Sequence, residues 1–224
     1  IVHNLAAPIV RGLQGDARDN KALSAPYILA TAKHFIGDGG TVNGDDQGDN
    51  IDTERELIKQ HLPGYISAIK AGVQTVMVSY SSALGQKMHA NHYLLTDVLR
   101  KQMGFDGFII GDWDAHAQIP GCSVSSCPAA INAGIDMLMV PNDWRRFIEN
   151  TIEDVQQGRI SQQRVDEAVF HILRVKMRAG LFDTTLPSKR QYAGQTYLLS
   201  SEKHRDVARQ AVRESLVLLK NDEK

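Results

Sequence analysis

Gly107-Phe108-Ile109-Ile110-Gly111-Asp112-Trp113-Asp114 is an apolar run that stops abruptly in a polar cluster, and that shape decides the fold. No polar residue alternates within Phe108-Ile109-Ile110, so the run reads as a strand buried on both faces, as in a parallel sheet. Three further runs have the same form: Ile28 to Phe35, Gln74 to Tyr80 and Asp136 to Pro141. Their starts are separated by the roughly 30 or more residues that a strand-helix-strand unit occupies. The pattern is that of an α/β protein with a parallel sheet or barrel.

The intervening segments carry helix ends. Thr53 and Glu56 make a capping-box pattern before Leu57, His61, Leu62, Tyr65, Ile66 and Ile69, and Gly72 is placed as the stop. Pro63 should kink or restart that helix. Asn142 or Asp143 can cap a second helix, whose Trp144, Phe147, Ile148, Ile152 and Val155 form one stripe before Gly158. Ser161 opens a third, running to about Arg178 and closed by Gly180. The tail from Ser201 to Lys220 reads as a helix entering a strand-like Ser215-Leu216-Val217-Leu218-Leu219, whose partners would lie beyond the chain. The loop from Gly37 to Asp52 is long and rich in Gly and Asp, and long loops without structure of their own are commonly functional.

The 224 residues are 42% hydrophobic and 23% charged, enough for one substantial core. A net charge of -1 gives no overall field toward nucleic acid or an anionic membrane, and fits a neutral, polar substrate. No apolar run approaches the roughly 20 residues that cross a bilayer. The start, Ile1-Val2-His3-Asn4-Leu5-Ala6-Ala7-Pro8, lacks the basic head and apolar centre of a secretory signal, so a removed or omitted upstream segment is expected. Cys122 and Cys127 can close a small disulfide in an oxidising compartment, although their spacing alone does not establish the geometry. Zinc fits them poorly, since paired C-x-x-C and nearby His ligands are missing.

In parallel α/β folds the carboxyl ends of the strands carry the site. Here they finish in Lys33-His34-Phe35, Ser79-Tyr80-Ser81-Ser82 and Gly111-Asp112-Trp113-Asp114. A cation, an imidazole, a phenol, a carboxylate and an indole then share one rim, which suits a pyranose with an apolar face and hydrogen-bonding hydroxyls. Asp112 can act as a nucleophile toward an anomeric carbon. Taken singly, each residue has a plainer reading: Asp112 as a turn residue, Lys33 as a solvated charge, His34 as a satisfied core histidine, Tyr80 and Trp113 as packing. The acidic loop with Asp38, Asp45, Asp46, Asp49 and Asp52 does not follow the order of a calcium loop, and its glycines form no phosphate-cradling motif. Neither a metal nor a cofactor is expected.

These stretches resemble family 3 glycoside hydrolases. Lys33-His34-Phe35-Ile36-Gly37-Asp38-Gly39-Gly40-Thr41 is similar to the family's K-H-F-x-G-x-G segment, Val76 to Ser82 to its next strand, and Gly107 to Trp113 to its nucleophile strand, which commonly ends S-D-W. Gly134 to Pro141, Ile172 to Lys176 and Ser215 to Asn221 continue the likeness in order. The resemblance implies part of a (β/α)8 TIM-like barrel, the central and C-terminal portion of the family's N-terminal domain. Residues 1–200 would form that partial barrel domain, and 201–224 a trailing helix and the start of a linker to an αβα sandwich domain.

The subgroup most similar is that of exo-β-glucanases and β-glucosidases. It implies retaining hydrolysis with Asp112 as nucleophile, Lys33 and His34 on glucose hydroxyls, Tyr80 beside the nucleophile, and Trp113 stacked on the neighbouring sugar. The substrate would be a β-linked gluco-oligosaccharide or aryl β-glucoside, and the compartment periplasmic or extracellular. Gly111 departs from the usual serine, and Gln118 stands where some relatives carry an arginine near the outer sugar site. Gly44-Asp45-Asp46-Gln47-Gly48 does not reproduce the D-x-H loop of the family's β-N-acetylglucosaminidases. The family's acid/base glutamate comes from the second domain, so the remaining parts of a parent enzyme are the expected partners. Two other readings stand beside this one: a non-catalytic fragment or weak sugar-binding module, and an unrelated barrel using Lys33 as a Schiff-base amine.

Overall fold

Helix α1 (Val2–Gln14) opens a computed structural model that describes residues 1–16, 22–24, 26–182 and 186–222. Its buried Gln14 knits the elements that follow. The side-chain amide donates to Gly72 O at 2.8 Å, and its oxygen accepts the Ala30 and Gln74 amides at 2.9 and 3.2 Å. One polar side chain thereby satisfies backbone groups at the starts of two strands.

Strand β1 (Thr31–Phe35) leads into the long loop, which folds into two 3-10 turns, 38–40 and 42–44, and strand β2 (Asp49–Asn50). Helix α2 (Glu54–Lys70) follows. Thr53 accepts the Glu56 amide while the Glu56 carboxylate accepts the Thr53 amide, so the capping box forms as read. Strand β3 (Thr75–Val78) comes next. The hairpin of β4 (Ser82–Ala83) and β5 (Gln86–Lys87) then turns through Leu84 and Gly85, both at positive φ as a two-residue turn of this hand requires. A π-wound helix, Tyr93–Gln102, precedes β6 (Phe108–Ile110). Helices α3 (Pro128–Asn132), α4 (Trp144–Gln156), α5 (Gln162–Arg178) and α6 (Glu202–Ser215) complete the order.

The main sheet is parallel, in the order β1-β3-β6, with Thr31 opposite Thr75 and Val76 opposite Ile109. Among the described residues it is an arc of an α/β barrel that does not close on itself. A second small sheet has the order β2-β4-β5, with β2 parallel and β5 antiparallel to β4. Phe35, Val76, Val78 and Ile109 are buried in the main core with Leu57, Leu95 and Leu99 from the helices, each contributing about 1.5–3 kcal/mol by leaving water. A smaller cluster joins Ile131, Phe147 and Ile160. The chain divides into two compact units, Ile1–Asp183 and Thr184–Lys224, earlier than the division at 200 read from the sequence.

Several expectations need correction. The run from Asp136 to Pro141 is not a strand but a single parallel bridge, Ile110 to Met137, because Asp136 turns its carboxylate onto the Ile109 amide. Helix α2 passes through Pro63 as one element, with no restart. Loop 37–52 is not structureless, since β2 pairs with β4. The strand-like Leu216 to Leu219 forms no strand and is exposed. Of the stripe on α4, Phe147 alone is fully buried, while Trp144, Ile148 and Ile152 stay open. The capping side chains expected there make no cap hydrogen bond, whereas Ser161 on α5 does cap, accepting the Arg164 amide. Cys122 and Cys127 are bonded.

Candidate active site

The carboxyl ends of β1, β3 and β6 lie side by side, and backbone hydrogen bonds lock them together. The Ser79 amide donates to Phe35 O at 2.5 Å, Met77 of β3 pairs with Ile110 of β6, and the Gly111 amide donates onward to Met137 O at 2.8 Å. His34, Tyr80, Asp112 and Trp113 therefore meet at one rim. The peptides Lys33–His34 and Phe35–Ile36 are both cis.

Asp112 has two differently employed oxygens. Oδ1 accepts the Trp113 amide at 2.7 Å, while Oδ2 faces His34 Nε2 at 3.7 Å, too far for a hydrogen bond. The side chain is largely buried but not sealed, and Oδ2 is the oxygen left to a ligand. On the far side of the same imidazole, His34 Nδ1 donates to Asp38 Oδ2 at 2.9 Å. That bond fixes which nitrogen holds the proton and leaves Nε2 toward Asp112. Asp38 itself is set by the turn it begins. Gly37 sits at φ 94°, and a Cβ on Gly40 would come within 2.5 Å of Asn50 Nδ2.

Tyr80 donates its hydroxyl to Trp113 O at 2.8 Å. Partial burial, and then the carboxylates of Asp112, Asp114 and Asp46, raise its pKa, so the phenol stays a donor at neutral pH. The Trp113 backbone is thus gripped from both ends, and the residue is left 57% exposed. Lys33, next to His34 on β1, is exposed. It lines a groove of about 780 Å³ with α1, Asp38 and His61, and among the described residues it meets none of the other four by a hydrogen bond or ion pair.

Three residues at this rim were given no role in it by the sequence. Asp38 could have been found as the carboxylate four residues after His34. Gln47, whose side-chain oxygen accepts from Gln118 Nε2 at 2.7 Å and whose backbone oxygen accepts from Lys87, pins the long loop to the turn at Ala115–Gln118 and to β5. His89 accepts the Asp112 amide at 2.8 Å through Nε2. It lies 23 residues away, and no spacing rule points to it.

Chemically, the arrangement offers a carboxylate with one restrained and one free oxygen, an imidazole beside it, a phenol, and an open aromatic face. A family model described as the glycosyl hydrolase family 3 N terminal domain matches residues 1–175. The crystal structure of an exo-1,3/1,4-beta-glucanase from a Pseudoalteromonas species has a TM-score of 0.96 at 45% identity, covering 99% of this chain and 28% of that one. A lysosomal beta glucosidase of Dictyostelium discoideum is 32% identical over 97% of this chain and 27% of its own length. A periplasmic beta-glucosidase of Salmonella typhimurium is 30% identical over 95% and 28%. The chain thus spans between a quarter and a third of the length of these relatives.

Proposed function

The chain belongs to glycoside hydrolase family 3, and from that premise we propose that it carries the nucleophile side of a retaining, exo-acting β-glucosidase or β-glucan glucohydrolase, with Asp112 attacking the sugar. The observation that carries the reading is the division of labour at Asp112. Oδ1 is held by the Trp113 amide while Oδ2 faces the cleft beside His34. In the first step Oδ2 bonds to the anomeric carbon as the bond to the leaving oxygen breaks. That oxygen takes a proton from a general acid. In the second step water, deprotonated by the same group, displaces Asp112 and regenerates the carboxylate.

His34, with Nδ1 donating to Asp38, has Nε2 free to meet a glucose hydroxyl. Lys33 offers its ammonium to hydroxyls from the adjacent position on the strand. Tyr80 holds Trp113 in place, and the exposed indole gives the second sugar an apolar face. β-Linked gluco-oligosaccharides and aryl β-glucosides fit these groups. The acid/base is assigned, by family resemblance, to a glutamate in the remaining parts of a parent enzyme. General acid help is worth about 10²–10⁴-fold, so the nucleophile acting without that group would be slowed by about this factor. The bonded Cys122–Cys127 pair and the periplasmic relative support a periplasmic or secreted location.

The test uses the full-length protein on an aryl β-glucoside, with Asp112→Ala alongside, followed by trapping with a 2-fluoroglucoside and peptide mapping. The label should sit on Asp112 and turnover should vanish in the variant. Equal turnover by both proteins, or a label on another residue, would sink the assignment.

A further inference from the structure

We infer that His89 is a positioning residue of this site, a neutral imidazole brace that holds the backbone of Asp112 against the strand end bearing Tyr80. The inference rests on Asp112 being the nucleophile. The ring is 2% exposed and lies in a 3-10 turn, Met88–Ala90, directly after the β4–β5 hairpin. That turn is fixed on both flanks. The Met88 amide donates to Ser81 O at 3.1 Å, and Asn91 Oδ1 accepts the Leu94 amide at 2.9 Å, capping the helix that follows.

From this seat Nε2 accepts the Asp112 amide at 2.8 Å. An imidazole that accepts through Nε2 carries its single proton on Nδ1. The backbone of Ser79 acts on the ring in the sense that favours a proton there. The path Ser79 to His89 to Asp112 therefore joins the ends of β3 and β6, one residue from Tyr80 on one side and at the carboxylate's own peptide on the other. With the Ser79 amide on Phe35 O, the end of β1 that carries His34 joins the same path.

Charge would undo the brace, because an imidazolium has no lone pair for the Asp112 amide. The environment prevents it. Burial, then the neighbouring His116, and also Lys87, hold His89 down to about 3, against the opposing pull of Ser79. On the same edge of the ring, a Cβ at Gly111 would meet His89 Cδ2 and Nε2 at 3.4 Å, so the strand end lies in van der Waals contact with the imidazole.

The test is made on the full-length protein with Asp112→Ala as reference. Turnover surviving in Asp112→Ala removes the nucleophile reading and the brace with it. With Asp112 essential, His89→Leu should slow glycosyl-enzyme formation by about 10²-fold at little change in KM, the scale of an error of about 1 Å in a reacting group. His89→Gln, whose amide oxygen can take the Asp112 N–H, should recover part of that rate. A wild-type rate in His89→Leu overturns the inference, as does a His89→Gln protein no faster than the leucine variant. Should His89→Leu fail to fold, histidine nitrogen NMR of the unaltered protein decides. His89 carrying its proton on Nδ1, with bare Nε2 coupled to the Asp112 amide, supports the brace. A His89 that titrates near the ordinary histidine range, or holds its proton on Nε2, refutes it.

Discussion

Asp38 accepts from His34 Nδ1 at 2.9 Å, four residues along the same turn, and so decides what the other nitrogen of that ring presents to Asp112. The pair sits at the rim, where both side chains keep contact with water. It acts on orientation more than on stability.

Asp38→Asn should therefore leave the melting temperature nearly unchanged and reduce kcat/KM. Loss of one charge-assisted bond at a wetted site is worth roughly tenfold, about 1.4 kcal/mol. The amide can still accept from Nδ1, so Asp38→Ala should cost more than Asp38→Asn. Steady-state kinetics of the two on an aryl β-glucoside separates them. Wild-type kcat/KM in Asp38→Ala would mean His34 is held without Asp38.

Asp136 carries a different burden. Its side chain is fully shielded and accepts from Arg100 at 2.6 Å, Arg164 at 2.7 Å, His171 Nδ1 at 3.0 Å and the Ile109 amide at 2.9 Å. It thereby fastens the π-wound helix and α5 to β6. Burial pushes its pKa up, but His171, Arg100, the Ile109 amide and Arg164 together outweigh burial and set it below the ordinary 3.8. Burial also depresses Arg100, with Asp136 offsetting only part. Asp136→Asn leaves those cations without a counter-charge, so a loss of about 3–5 kcal/mol in denaturant unfolding is expected. The sign with pH follows from the lowered value. Between the folded pKa and 3.8 the unfolded chain holds more protons on this group than the folded one. Its stabilisation is complete above that window and drains as the pH falls through it. The variant should lose that part of the acid limb, and an unaltered limb would show that the group does not titrate on unfolding.

The capping box at Thr53 and Glu56, the Ser161 cap and the apolar body of β6 were legible because their determinants lie within four residues of each other. So was the gathering of His34, Tyr80, Asp112 and Trp113, since each ends or follows a strand and parallel strands end on one side. The fourth strand was misread for a physical reason. Its apolar letters fit, but Asp136 is drawn to Arg100, Arg164 and His171, residues 36, 28 and 35 positions away, and no local spacing encodes that pull. His89 was invisible for the same reason. A buried histidine is ordinary until the amide it faces is known. Lys33 shows the converse, for adjacency in sequence to His34 did not give it a shared hydrogen bond.

The bridge between Cys122 and Cys127 closes a short loop just after the turn that follows β6. His116 Nε2 donates to Val124 O inside that loop at 2.8 Å, and the His116 ring meets Phe147 edge-on at 5.3 Å. The loop thus links the turn at Ala115–Gln118 to the smaller core on α4. Cutting a loop this short should release only the lower range of disulfide stabilisation, about 2 kcal/mol. Cys122→Ser with Cys127→Ser should accordingly lower stability by that amount in denaturant unfolding, and reductant should do the same to the parent protein but nothing to the double variant. If the loop also sets the turn after Trp113, kinetics on a longer β-linked glucan should weaken through KM more than kinetics on an aryl β-glucoside. Equal changes on both substrates would confine the bridge to stability, and no change in unfolding at all would mean that His116 and Phe147 hold the loop without it.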